Sequence, residues 1–123
     1  MVFRTKTSKR TMGIYEAIGI REHLQPFALS KISIALAIKN KFHYDGTVAD
    51  TNGLDLNRQT ITGDYDLLFK KLIEQNEGRS IPEEEYFPNV LKAYLDQGAI
   101  FLEQEYKYTN DIYCHLMELE KSI

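Results

Sequence analysis

The run from Phe27 to Ile38 limits this chain most. Wound as a helix behind Pro26, it is apolar on more than one side. Leu29, Ile32 and Leu36 line one flank, Ile34 and Ile38 line another, and Ala35 and Ala37 lie between. A helix this widely apolar must be covered on several sides. A chain of 123 residues forms one domain, 1–123. A domain of that size buries roughly two thirds of its unfolded surface. A second copy of the chain is one way to cover the rest, so Ile32, Ile34, Leu36 and Ile38 are read as an oligomer interface. Gly98 joins them. A glycine inside a helix costs about 1 kcal/mol, and close approach of another helix would compensate.

Flanking signals predict a mainly α fold. Residues 2–7 alternate as a short strand, with Phe3, Thr5 and Thr7 on one face and Arg4 and Lys6 on the other. Ser8 is a fair N-cap for a helix over 9–18, with Met12, Tyr15 and Ile18 inward. Gly19 punctuates it, and Pro26 suits the first turn of the next helix. A basic strand followed by two helices is the ribbon-helix-helix pattern, in which two chains pair their strands. Residues 42–63 read as a long polar loop. Asp64 is expected to cap a third helix ending at Gly78, with Tyr65, Leu68, Phe69, Leu72 and Ile73 as its stripe. Ser80-Ile81-Pro82-Glu83 reads as a capping box, and Pro88 as a kink before a helix over 89–107. Asn110 is expected to cap a last helix over 111–121, with Ile112, Tyr113, Leu116 and Met117 inward. The architecture is thus a ribbon-helix-helix-like first half, a long loop and about three further helices.

Charge divides the chain. Residues 1–41 hold eight lysines and arginines against two glutamates, a net of +6. Residues 42–123 hold seven bases against sixteen acids, a net of −9. Two readings follow: a cationic front for a polyanion, or two complementary parts that pack together. The polyanion-contact candidates are Arg4, Lys6, Lys9 and Arg10, then Arg21, Lys31 and Arg58.

No catalytic set emerges. His23, His43 and His115 are far apart in sequence, and Cys114 has Asp111, Glu118 and Glu120 nearby rather than cations. The aspartates of the 42–63 loop lack EF-hand spacing, and no Gly-rich phosphate loop ends in Lys-Ser/Thr. The chain is therefore read as non-enzymatic, with no metal and no cofactor. One cysteine excludes an internal disulfide, no run of about 18 apolar residues spans a membrane, and the N-terminus lacks a signal-peptide core. The expected location is cytoplasmic.

Residues 53–66 carry the sharpest motif. Gly53, Leu56, Asn57, Arg58, Thr60, Gly63, Asp64, Tyr65 and Asp66 stand in the order Gly-x-x-Leu/Phe-Asn-Arg-x-Thr-x-x-Gly-Asp/Glu-Tyr-Asp. Arg58 either shares an anion with a helix N-terminus or salt-bridges to Asp55 or Asp64 and shapes the loop. This motif resembles that of the DNA sulfur modification protein DndE family. Gly19-Ile20, Pro26 and the apolar run resemble the family's segment between its first two helices. Leu95 to Leu102 resembles its His-x-Arg-Gly helix, although Asp96 and Gln97 stand where the family has a more basic pair. The resemblance implies an accessory protein of DNA phosphorothioation: a homotetramer that binds double-stranded DNA and favours nicked duplex. It also implies, as partners, a cysteine desulfurase, an iron–sulfur protein and an ATPase.

Overall fold

The computed structural model describes residues 3–122, with side chains through residue 109. The order is β1 (Arg4–Lys6), α1 (Lys9–Glu22), α2 (Pro26–Lys39), β2 (Asp55–Asn57), α3 (Arg58–Thr62), a 3₁₀ turn (Gly63–Tyr65), α4 (Asp66–Glu77), α5 (Glu83–Glu85), a wide turn over Tyr86–Val90, and α6 (Leu91–Ser122). The mainly helical fold, led by a strand and two helices, is as the sequence predicts. No described helix is long and apolar enough to cross a membrane.

Local signals explain most element ends. The Ser8 hydroxyl accepts the Thr11 N–H and caps α1, and Pro26 opens α2. Helix α1 runs past Gly19 to Glu22. Gly78 closes α4, and its N–H donates to the Glu74 carbonyl. Phe87, just before Pro88, leaves helical geometry and makes the predicted kink.

Four expectations need correction. Strand β1 pairs antiparallel with β2 of its own chain, Arg4 opposite Asn57 and Lys6 opposite Asp55, so the ribbon is closed within one molecule. The loop is shorter than expected, because β2 and α3 occupy 55–62. Glu83 does not cap its helix through a box with Ser80; α5 has no side-chain cap. Helix α6 is continuous where two helices were expected. The Asn110 cap and the inward set Ile112, Tyr113, Leu116 and Met117 lie outside the residues whose side chains are described.

Helix α2 is the axis of the domain. Its Ile34 and Ala37 join Ile61, Ile73, Val90, Leu91, Tyr94 and Leu95 in the main core. Its Leu29 joins Ile14, Tyr15, Ile18, Ala99 and Leu102 in a smaller one. Gly98 of α6 lies directly on α2, where an added Cβ would stand 1.8 Å from the Ser33 carbonyl oxygen. The apolar breadth of α2 is therefore satisfied mostly inside the subunit. Ile34 is fully buried, and Leu36 and Ile38 pack against the two cores. Gly98 and Ile34 are thus not free for a second chain; of the expected interface Ile32, 40% exposed, is open to solvent, and Leu36 and Ile38 are half-buried.

Candidate nucleic-acid interface

The ribbon and the start of α1 set out the first cations. Thr5 and Thr7 are buried while Arg4 and Lys6 are exposed, as strand alternation requires. Gly53 fixes the far strand. Its N–H donates to the Thr7 carbonyl at 2.8 Å, and a Cβ there would come within 2.2 Å of the Ser8 carbonyl oxygen. Lys9 and Arg10 follow in the exposed first turn of α1.

The amides at this helix start already have anions. Ser8 N–H donates to Asp96 Oδ1 at 3.0 Å, and Lys9 N–H to Asp50 Oδ2 at 2.9 Å. Asp96 also accepts from the Thr11 hydroxyl at 2.7 Å and from Lys92 Nζ at 2.6 Å. Lys92 in turn donates to the Asp50 carbonyl at 3.0 Å. Hydrogen bonds hold the Asp50 carboxylate below its ordinary range, led by those from the Lys9 and Asn52 amides. Asp96, unexpectedly acidic in sequence, is therefore the buried post that ties α6 to α1.

The predicted cations meet different fates. Arg4 Nε lies 3.0 Å from Asp55, and Arg10 lies 3.2 Å from Glu103. All four side chains are about half exposed. Lys6 and Lys9 have no ion-pair partner among the described residues. The Arg21 guanidinium sits over the Tyr106 ring at 5.9 Å. Lys31 Nζ donates to the Phe27 carbonyl at 3.1 Å and to the Thr60 carbonyl at 3.4 Å. Burial lowers the Lys31 pKa despite the nearby Asp64 carboxylate. Arg4, Lys6, Lys9 and Arg10 form one run; Arg21 lies at the far end of α1, and Lys31 and Arg58 lie on α2 and α3.

Arg58 is built into the fold. Asn57 caps α3 by accepting the Thr60 N–H at 2.7 Å. Arg58 then holds Asp66 through two parallel bonds, Nε to Oδ1 at 2.8 Å and Nη2 to Oδ2 at 2.9 Å. It also donates to Glu83, which takes a second cation, Lys70, at 2.8 Å. Its guanidinium covers Tyr86 at 5.2 Å and Phe87 at 5.3 Å. Burial would lower the Arg58 pKa, but hydrogen bonds to Asp66 and Glu83 raise it overall. Hydrogen bonds from Arg58 and Lys70 push Glu83 down to about 2. Asp66 is lowered too: its burial is outweighed by Arg58 and the Thr62 hydroxyl.

The motif therefore works differently from expectation. Neither Asp55 nor Asp64 pairs with Arg58. Asp64 sits exposed in the 3₁₀ turn and caps nothing, since neither that turn nor α4 has a side-chain cap. Tyr65 is exposed, and Gly63 faces the Lys31 stem, where a Cβ would lie 3.5 Å from Cε. Asp66, Glu83 and Lys70 were missed as Arg58's neighbours. Asp66 was legible as the last motif residue, but reading Glu83 as a cap removed it from consideration.

Fold and surface together define a small helical domain led by an intramolecular ribbon with exposed cations along its edge. The chain belongs to the family described as DNA sulphur modification protein DndE, whose sequence model matches residues 4–110. Membership implies a role in DNA phosphorothioation. Among solved structures it is similar to DndE from Escherichia coli B7A, involved in DNA phosphorothioation modification. That likeness has a TM-score of 0.67 at 13% identity and covers 83% of this chain and 97% of that one. A DndE mutant carrying glycine-to-lysine changes, also involved in DNA phosphorothioation, matches with a TM-score of 0.63 at 14% identity, over 85% and 99% of the two chains. No curated protein matches the sequence.

Proposed function

We propose that this protein is a non-catalytic, DNA-binding accessory subunit of the phosphorothioation system. It binds duplex DNA, nicked duplex preferentially, through cations presented on a homotetramer in the cytoplasm. The sulfur chemistry belongs to its partners, a cysteine desulfurase, an iron–sulfur protein and an ATPase.

One observation carries the DNA reading. Arg4, Lys6, Lys9 and Arg10 are exposed in a continuous run over β1 and the first turn of α1. Two of them have no carboxylate partner among the described residues. The other two hold exposed pairs worth about 0–1 kcal/mol, which a phosphate can replace. Such contacts position a protein on the backbone without choosing sequence. Closure of the ribbon within one chain argues against the ribbon-helix-helix repressor reading, which needs strands shared between chains.

Gel shifts with intact, nicked and unrelated duplexes at two salt concentrations test this reading. Affinity should fall steeply with salt and vary little with sequence. A single preferred operator would restore the repressor reading, and salt-insensitive or undetectable binding would leave a protein scaffold.

A further inference from the structure

A shallow recess of about 440 Å³ lies beside the family motif, lined by Phe3, Asn57, Arg58, Gln59, Thr62 and Asp66, with Gly63. Its volume falls within the roughly 300–1,000 Å³ of small-molecule sites. Phe3 stands at its edge and is 59% exposed. It lies on the same strand face as buried Thr5 and Thr7, so it overhangs the domain rather than joining Arg4 and Lys6. Its carbonyl accepts the Arg58 N–H at 2.8 Å, which ties this residue to the start of α3. Exposing a large aromatic ring beside an open recess forfeits burial that the core would otherwise gain.

The polar lining is only partly used. Asn57 spends its side-chain oxygen on the Thr60 amide, and no described residue accepts from its NH₂ group. Gln59 is exposed, and no bond to its amide is formed by a described residue. Side-chain amides pair with base edges, and an aromatic face stacks on a base plane.

We propose that this recess receives one unstacked nucleobase, with Phe3 as the stacking face and the Asn57 and Gln59 amides toward the base edge. The inference rests on the DNA-binding reading and names the substrate feature that the motif side would recognise: an interruption in the stack from which a base can leave. Bases inside a continuous duplex are closed to such a site, so it would add affinity only where stacking is already weakened.

The test uses two duplexes of equal length, one fully paired and one with a single unpaired 2-aminopurine. Wild-type protein should bind the second more tightly and change its fluorescence. Phe3→Ala should lower affinity for the unpaired-base duplex by roughly five- to a hundred-fold, the range for removal of one stacking partner, and leave the paired duplex unaffected. Phe3→Trp should keep the preference, and Gln59→Ala, an exposed change that spares the core, should reduce it. Equal wild-type affinity for the two duplexes would overturn the inference while the DNA reading stands. So would a preference that survives both Phe3→Ala and Gln59→Ala. Absence of salt-sensitive binding to either duplex would overturn both together.

Discussion

At the scale of single residues, Arg58 shows how a cation in a DNA-modification family can be a structural part. Its side chain is 18% exposed, held by two carboxylates and two rings. Arg58→Ala should lower the melting temperature, with a cost of about 1–3 kcal/mol for leaving Asp66 without its forked donor. Arg58→Lys should rescue little, because an ammonium cannot make the paired bonds. The same site predicts acid sensitivity. Glu83 falls to about 2 in the folded chain from an ordinary value of 4.5. Its contribution is therefore complete above about pH 4.5 and fades as the pH falls toward 2. Melting curves across that window should converge for wild type and Glu83→Gln at the acid end. Parallel curves would show that Glu83 is already screened by solvent. The sequence made Arg58 conspicuous but not its partners. Asp55 and Asp64 are nearer in the chain, yet the turn at Gly63 brings Asp66 to Arg58, and Glu83 reaches it from 25 residues away.

At the scale of elements, the legible features were those with local causes. The Ser8 cap, Pro26 at a helix start, Gly78 at a helix end and the break near Pro88 each depend on a few neighbouring residues, and the structure keeps them. Pairing was not legible. Nothing local distinguishes β1 paired with another chain from β1 paired with Asp55–Asn57. Gly98 was half legible: it does mark a close helix approach, but the neighbour is Ser33 of its own α2. Gly98→Ala gives the direct test. Helix propensity alone favours alanine by about 1 kcal/mol. The added methyl would strike backbone 1.8 Å away, so α2 and α6 must separate. Overpacking of this kind costs about 1–3 kcal/mol or more. The variant should therefore be less stable in denaturant titrations, and a gain in stability would show that the two helices separate readily.

At the scale of the whole molecule, the apolar surface left outside has moved from where the sequence put it. Tyr65 of the 3₁₀ turn and Leu67 and Leu68 of α4 are 54–68% exposed, and Ile32 and Phe27 of α2 are also exposed. Assembly should therefore respond to Ile32→Glu and Leu68→Glu, with the fold intact by circular dichroism and a smaller size by light scattering. Ile34→Glu should instead unfold the subunit, since it places a charge among fully buried side chains. A wild-type monomer at micromolar concentration would remove the oligomer from the proposal.

Charge poses the remaining question at this scale, because both readings of the +6 and −9 halves are partly realised. Arg4–Asp55 and Arg10–Glu103 join the halves, whereas Lys6 and Lys9 remain unpaired among the described residues. The two kinds of cation should therefore differ in their effect on DNA binding. Removing one cation from its phosphate flattens log affinity against log salt by about 0.9. Replacing Lys6 and Lys9 with Ala should reduce that slope by about 1.8 and weaken every duplex alike. Replacing Arg4 and Arg10 should reduce it less, since those side chains must first leave Asp55 and Glu103. A double Lys6/Lys9 variant with an unchanged slope would move the interface off the ribbon, and Arg21 and Lys31 would be the next cations to replace.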